Sequence, residues 1–292
     1  MLPPMTTQET AEQTTVCYRH PKRETAVSCS ECGRPICTEC MVFAPVGIKC
    51  PECAGQPAGA RKAAARLRGV AAEGAGGLVT RLLVALNVGV FVLQVIDAGD
   101  LRGIGGQIAS RGALYGPAVA AGEWWRLVTA GFLHYGPIHL LFNMLMLWWF
   151  GRPLEAVLGR GRFLAVYVVS LLAGSAGALL LTPRTPTLGA SGAVFGILGA
   201  GLVLERKQIY VFGGGAFMVI AFNLVFSLAV RNISIGGHLG GLVGGILAML
   251  ALSRFGRGHA VYGRVGLAGI VGVIAVAAVS IGIAYARVRG LA

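Results

Sequence analysis

The sequence predicts an all-α polytopic membrane protein preceded by a small zinc-bound domain. Three observations carry this. Of 292 residues, 55% are hydrophobic and only 13% charged, with mean hydropathy +0.71, which is too apolar for a soluble domain of this size. Long apolar segments recur from Leu78 onward. All 7 cysteines lie between Cys17 and Cys53, which confines thiol chemistry to one short amino-terminal region. The net charge of +13 could suggest nucleic acid, but Lys and Arg fall mostly in short runs beside apolar segments, as in cytosolic loops. No nucleic-acid partner is expected.

Residues 1–15 are polar and read as a disordered tail. Residues 16–56 hold four metal-type pairs: Cys17-x-x-His20, Cys29-x-x-Cys32, Cys37-x-x-Cys40 and Cys50-x-x-Cys53. Eight nitrogen and sulfur ligands suit two tetrahedral Zn2+ ions with no coordination position left open, so these are structural rather than catalytic sites. The rivals are disulfides, which would need this segment outside the cytosol, and a redox module, whose thioredoxin-like context is absent. Spacing leaves open which pairs share an ion. The run from Cys17-Tyr-Arg-His20-Pro to Cys50-Pro-Glu-Cys53 resembles the B-box and related cross-brace zinc fingers. That resemblance implies that the first and third pairs share one ion and the second and fourth the other. It also implies a binding role, toward a cytosolic protein partner or the chain itself.

Residues 57–77 are rich in Ala, Gly and Arg and read as a basic juxtamembrane linker, either a plain tether or a segment lying on anionic lipid. Nothing before Leu78 offers an apolar core with a cleavage site, so no signal peptide is expected. Seven apolar spans follow, at about 78–96, 134–151, 163–182, 190–204, 209–230, 235–253 and 264–286, the fourth short for a full crossing. Alternate connections carry thirteen Lys and Arg on the amino-terminal side (from Arg61 to Arg264) against seven on the other (from Arg102 to Arg289). The amino terminus is therefore expected in the cytosol, in the reducing compartment that zinc thiolates favour. The connection from Asp97 to Leu133, with Trp124-Trp125-Arg126, is expected partly in the outer interface and leaning on protein to satisfy its backbone.

Polar residues within the spans are few and gather in one leaflet. His139 and Asn143, four apart, share a helix face. Ser191 opens the fourth span in Gly189-Ala190-Ser191-Gly192, where a helix start leaves backbone N–H groups unpaired and directs its positive dipole end. His238 stands near the start of the sixth. With the amino terminus inside, all even-numbered spans enter from outside, so the four residues share a depth. Each alone could be a packing or interhelical contact; together they suit a hydrolase, with a serine nucleophile and an imidazole base. Gly192, Gly196 and Gly199 on the fourth span, with Gly237, Gly241 and Gly245 on the sixth, would allow the close approach this needs.

Trp125-Arg126, His139-x-x-x-Asn143, Gly189-Ala190-Ser191-Gly192 and His238 before a glycine-rich helix resemble the rhomboid family of intramembrane serine proteases, over about residues 78–254. The resemblance implies a six-helix core plus one carboxy-terminal helix, the latter within 255–292. It makes Ser191 the nucleophile and His238 the base, with His139, Asn143 and the Ser191 N–H forming the oxyanion hole. No cofactor is implied for catalysis. Substrates would be transmembrane segments of other proteins in the bilayer, cut near the outer face of the plasma membrane. Phe195 stands where many bacterial relatives have a tyrosine packed on the histidine; its ring could still stack there. Glu155 matches a family glutamate of structural type. The alternatives are a non-catalytic rhomboid-like protein that binds membrane clients, a transporter or channel, and a chain whose zinc module is the functional centre.

Overall fold

The computed structural model describes residues 15–44, 47–54, 77–206, 209–229, 233–254 and 266–291. The tail expected over 1–15 and the linker expected over 57–77 lie almost entirely outside the described residues. The chain divides into two compact units, Met1–Gly74 and Ala75–Ala292.

The first unit is two small antiparallel ribbons, β1 (Val16–Cys17) with β2 (His20–Glu24) and β3 (Val42–Phe43) with β4 (Ile48–Lys49). Its interior is Ile36 and five of the cysteines, with Tyr18, Val27, Met41 and Ile48 packed at the edge. So little apolar surface cannot hold such a short segment folded by burial alone.

The second unit is all helix. Helix α1 (Leu78–Ala98) begins at Gly77, whose φ of 87° is left-handed and which supplies no capping side chain. The cap comes from elsewhere: the buried Glu155 carboxylate accepts the Val79 N–H at 2.9 Å, the Thr80 N–H at 2.8 Å and the Thr80 hydroxyl at 2.8 Å. An anion at a helix amino terminus satisfies orphan donors and meets the positive end of the dipole. Replacing Glu155 with Ala is expected to destabilise the membrane unit by about 2–3 kcal/mol, the range for charged hydrogen bonds lost from a buried site. Denaturation in micelles measures this, and a loss below about 0.5 kcal/mol, that of an ordinary surface change, would refute the capping role.

Three short helices follow, α2 (Gln107–Gly112), α3 (Gly116–Ala120) and α4 (Arg126–Thr129), the last tightening into a 3-10 turn at Ala130–Phe132. Buried Arg126 knots them together, binding Glu123 at 2.7 Å and the carbonyls of Ser110 and Ala113 at 2.8 and 2.7 Å. The second span is α5 (Gly136–Met146) running through a π-helical turn, Leu147–Gly151, into α6 (Arg152–Leu158). Then come α7 (Arg160–Leu181), α8 (Ser191–Glu205), α9 (Ala216–Ala229), α10 (Ile235–Arg254) and α11 (Leu267–Val288).

Four of these, α1, α7, α10 and α11, are long and apolar enough to cross a membrane, while α8 and α9 are shorter apolar helices. Helix α9 starts at Ala216 rather than near 209 because Gly213 and Gly214, with φ of 66° and 85°, hold a turn that L side chains resist. The polytopic all-α architecture is as the composition predicts. Its centre is α10, whose packing against α7 and α8 is more extensive than that between any other two helices described.

Candidate active site

Close helix packing builds the site. A methyl placed on Gly241 or Gly245 of α10 would run into the backbone of Gly192 or Gly196 on α8, and one on Gly199 would lie 2.7 Å from the Leu242 carbonyl. Gly174 and Gly177 of α7 complete the contact: a methyl on Gly174 would lie 3.1 Å from the Gly237 carbonyl and 3.2 Å from the Gly192 Cα. Without a hydrophobic drive between helices in lipid, such backbone approach is a main source of packing attraction. It sets the amino-terminal turns of α8 and α10 side by side, with Ser191 on one and His238 on the other.

Half-buried Ser191 is the first residue of α8, and Ala190 before it offers no side-chain cap, so the first-turn N–H groups are left for another acceptor. The segment leading in is strapped down: Thr187 and Leu114 exchange backbone bonds of 2.9 Å, Gly116 N–H meets the Pro183 carbonyl at 2.8 Å, and Gly189 N–H meets the Ala130 carbonyl at 2.9 Å. The long connection after α1 thus anchors the serine turn, which the sequence reading did not anticipate. Gly189 has φ of 135°, and a Cβ there would sit 2.7 Å from His139 Cε1, 3.1 Å from His139 Nε2 and 3.7 Å from Ser191 Oγ. One missing side chain lets serine and imidazole face the same small space.

The His139 tautomer follows from its neighbours. Its Nδ1 accepts the Tyr135 N–H at 3.3 Å, which leaves the proton on Nε2, on the edge of the ring that lies against Gly189. Buried Asn143 spends one amide hydrogen on the His139 carbonyl at 2.9 Å, and the second has no acceptor among the described residues. Tyr135 stacks near His139, with centroids 6.1 Å apart, while its hydroxyl donates to the Pro186 carbonyl at 2.8 Å. His134 meets the same ring edge-on, with centroids 5.2 Å apart. Neither His134 nor Tyr135 stood out in sequence.

His238 is buried and stacked against Phe195, with centroids 4.1 Å and planes 19° apart. Phe195 is four residues after Ser191, one turn along the same face of α8. Among the described residues, no hydrogen bond joins Ser191 to the His238 ring. Catalytic pairs are commonly loose without substrate and tighten when it binds. The ring's bonded partner is Ser227 of α9, whose Oγ lies 2.7 Å from His238 Nδ1.

In the first unit, ligand atoms gather as two sets, Cys17, His20, Cys37 and Cys40, and Cys29, Cys32, Cys50 and Cys53, each within 4.8 Å. The grouping is first pair with third and second with fourth. His20 Nδ1 lies 3.2, 3.4 and 3.7 Å from the sulfurs of Cys37, Cys40 and Cys17, and Cys32 and Cys50 sulfurs are 3.7 Å apart. A tetrahedral ion with bonds of about 2.3 Å to sulfur spaces its ligands about 3.7 Å apart, whereas disulfide sulfurs are only about 2 Å apart. Burial would raise the Cys17 and Cys29 thiols, yet backbone N–H groups hold both down to about 6. Burial and the adjoining Cys17 push Cys40 up to about 12, a crowding of negative charge that a cation would relieve. Both sets fit a metal ion.

A family profile described as "Rhomboid domain" matches residues 121–255. The "Rhomboid protease GluP" of Bacillus subtilis (strain 168) is 40% identical over 177 residues, 59% of this chain and 34% of that protein. The "Putative rhomboid protease YdcA" of the same organism is 41% identical over 138 residues, 46% of this chain and 69% of that protein. The "Inactive rhomboid-related protein 2" of Caenorhabditis elegans is 27% identical over 177 residues, 56% of this chain and 51% of that protein. The chain thus spans about a third of the first of these relatives.

Proposed function

Because the chain belongs to the rhomboid family, we propose that its membrane unit is an intramembrane serine protease acting through Ser191 and His238. The observation that carries this is the Phe195–His238 stack, which sets the imidazole one turn from the α8 amino terminus. Ser191 Oγ attacks a peptide carbonyl while its proton passes to His238 Nε2. The carbonyl oxygen becomes an oxyanion, held by His139 Nε2–H, the free Asn143 amide hydrogen and the Ser191 N–H. The imidazolium returns the proton to the leaving amine, and water, deprotonated by the same nitrogen, hydrolyses the acyl-serine.

Substrates are transmembrane segments with small, helix-destabilising residues, since a stable helix hides its carbonyls. The excess of Lys and Arg on the amino-terminal side supports a cytosolic amino terminus; in this reading the dyad faces the outer side of the plasma membrane. The first unit, 16–56, is a cross-brace module holding two structural Zn2+ ions, one per ligand set, and offers a surface for a cytosolic protein partner. The rhomboid core is assigned to 78–254 and the additional helix to 255–292.

A second reading is a non-catalytic client binder, favoured by the similarity to an inactive relative. A serine-directed phosphonate separates the two: peptide mapping is expected to place the adduct on Ser191. Label absent from a folded, inserted protein supports the client binder.

A further inference from the structure

The catalytic reading leaves His238 without an acidic partner, and buried Ser227 of α9 fills that position with a hydroxyl. Its single hydrogen can serve one acceptor. Ser227 Oγ is 2.6 Å from the carbonyl of Asn223, its own residue i−4, and a carbonyl can only accept. The hydroxyl hydrogen therefore goes to Asn223. At 2.7 Å from His238 Nδ1, Ser227 Oγ must then accept, which requires the imidazole proton on Nδ1 and leaves the lone pair on Nε2. That is the tautomer a base needs. The opposite tautomer would set two lone pairs against each other across this contact.

Resting on the dyad reading, we propose that Ser227 is the positioning residue for His238, fixing its tautomer and rotation in place of a carboxylate. Phe195 holds the ring's face and Ser227 holds its edge, so the imidazole is clamped between α8 and α9. A neutral acceptor suits this depth, where an ionised side chain is expensive. Ser227 is not itself the nucleophile. Its proton is committed to Asn223, and it lies near the carboxyl end of α9, where backbone N–H groups are bonded within the helix and none is free for an oxyanion.

The test uses the full chain reconstituted in liposomes with a single-span substrate, measuring kcat and KM separately for Ser227→Ala, Ser227→Thr and Ser191→Ala. Ser227→Ala is expected to lower kcat about 10- to 100-fold, at or below the usual span for acid–base assistance because the base remains, with KM changed less than about twofold. Ser227→Thr keeps the hydroxyl and is expected within about threefold of wild type, since threonine in a helix makes the same i−4 bond. Nitrogen NMR of 15N-histidine protein, with His238 assigned from the His238→Gln spectrum, is expected to show Nδ1 protonated in wild type. Equal losses in the Ala and Thr variants, an unchanged kcat in Ser227→Ala, or an Nε2-protonated His238 in wild type would each overturn the assignment. The NMR result stands even if Ser227→Ala fails to fold. Should Ser191→Ala cleave normally, the dyad reading itself falls; an inactive Ser191→Ala beside a normal Ser227→Ala removes only the Ser227 role.

Discussion

Ser191→Ala and His238→Ala are each expected to reduce cleavage of a reconstituted single-span substrate by about 10⁴-fold or more, with insertion and helicity unchanged. The size follows from the division of labour. Without Oγ there is no atom to carry the acyl group, and without the imidazole the hydroxyl keeps its proton. Because the two groups act as one unit, the double variant is expected to be no slower than the worse single one, leaving the same residue of oxyanion-hole and binding catalysis. Independent roles would instead multiply the two losses. Neither change should undo the helix packing, although His238→Ala also gives up the Phe195 stack and the Ser227 bond. Ser191 makes no interhelical hydrogen bond among the described residues, and the α8–α10 contact rests on Gly192, Gly196, Gly241 and Gly245, which both variants retain. Gel-resolved cleavage rates measure the effect. Full activity in either single variant would end the dyad assignment.

The parts of this arrangement that were legible in sequence are those with a period or a spacing. Apolar runs marked the helices, CxxC-type pairs marked the ligands, and glycines at helical intervals on α8 and α10 marked the faces that now touch. Phe195, expected to retain a ring stacked on His238, does so. Other features depend on which elements become neighbours, and no local pattern encodes that. Ser227 sits in an apolar run and satisfies its own hydroxyl through Asn223, so it reads as an ordinary small helix residue until α9 lies against α10. Glu155 matched a family residue, but capping α1 requires that helix start and α6 to meet. The connection after α1 looked like an interfacial loop. Its role as the strap for the serine turn comes from single backbone bonds such as Leu114 to Thr187. A two-residue bridge is too short to leave a periodic signature.

Stripping metal from the full chain is expected to unfold the first unit while leaving the helices of the second intact. The first unit has ribbons of two to five residues per strand and an interior made largely of the cysteines themselves. Once the ligands are released, Ile36 is the sole fully packed aliphatic side chain among its described residues, and burying one such side chain is worth about 1.5–3 kcal/mol. A structural zinc ion, by contrast, contributes roughly 10–16 kcal/mol of apparent binding free energy at neutral pH. Losing an ion held by either set would therefore exceed anything the remaining contacts can replace. The two candidate ligand sets interleave along the chain, first pair with third and second with fourth, so an ion in either set would close a loop containing ligands of the other. Disrupting one site, with Cys37→Ser or Cys50→Ser, is accordingly expected to collapse the whole unit and release both ions. Elemental analysis should give two zinc ions per wild-type chain and close to none in either variant. Limited proteolysis should cut residues 15–54 rapidly after chelation, with far-ultraviolet circular dichroism of the helical unit preserved. Protease resistance persisting in a chain proved free of metal would show that packing alone sustains this unit, and the case for structural zinc would be lost.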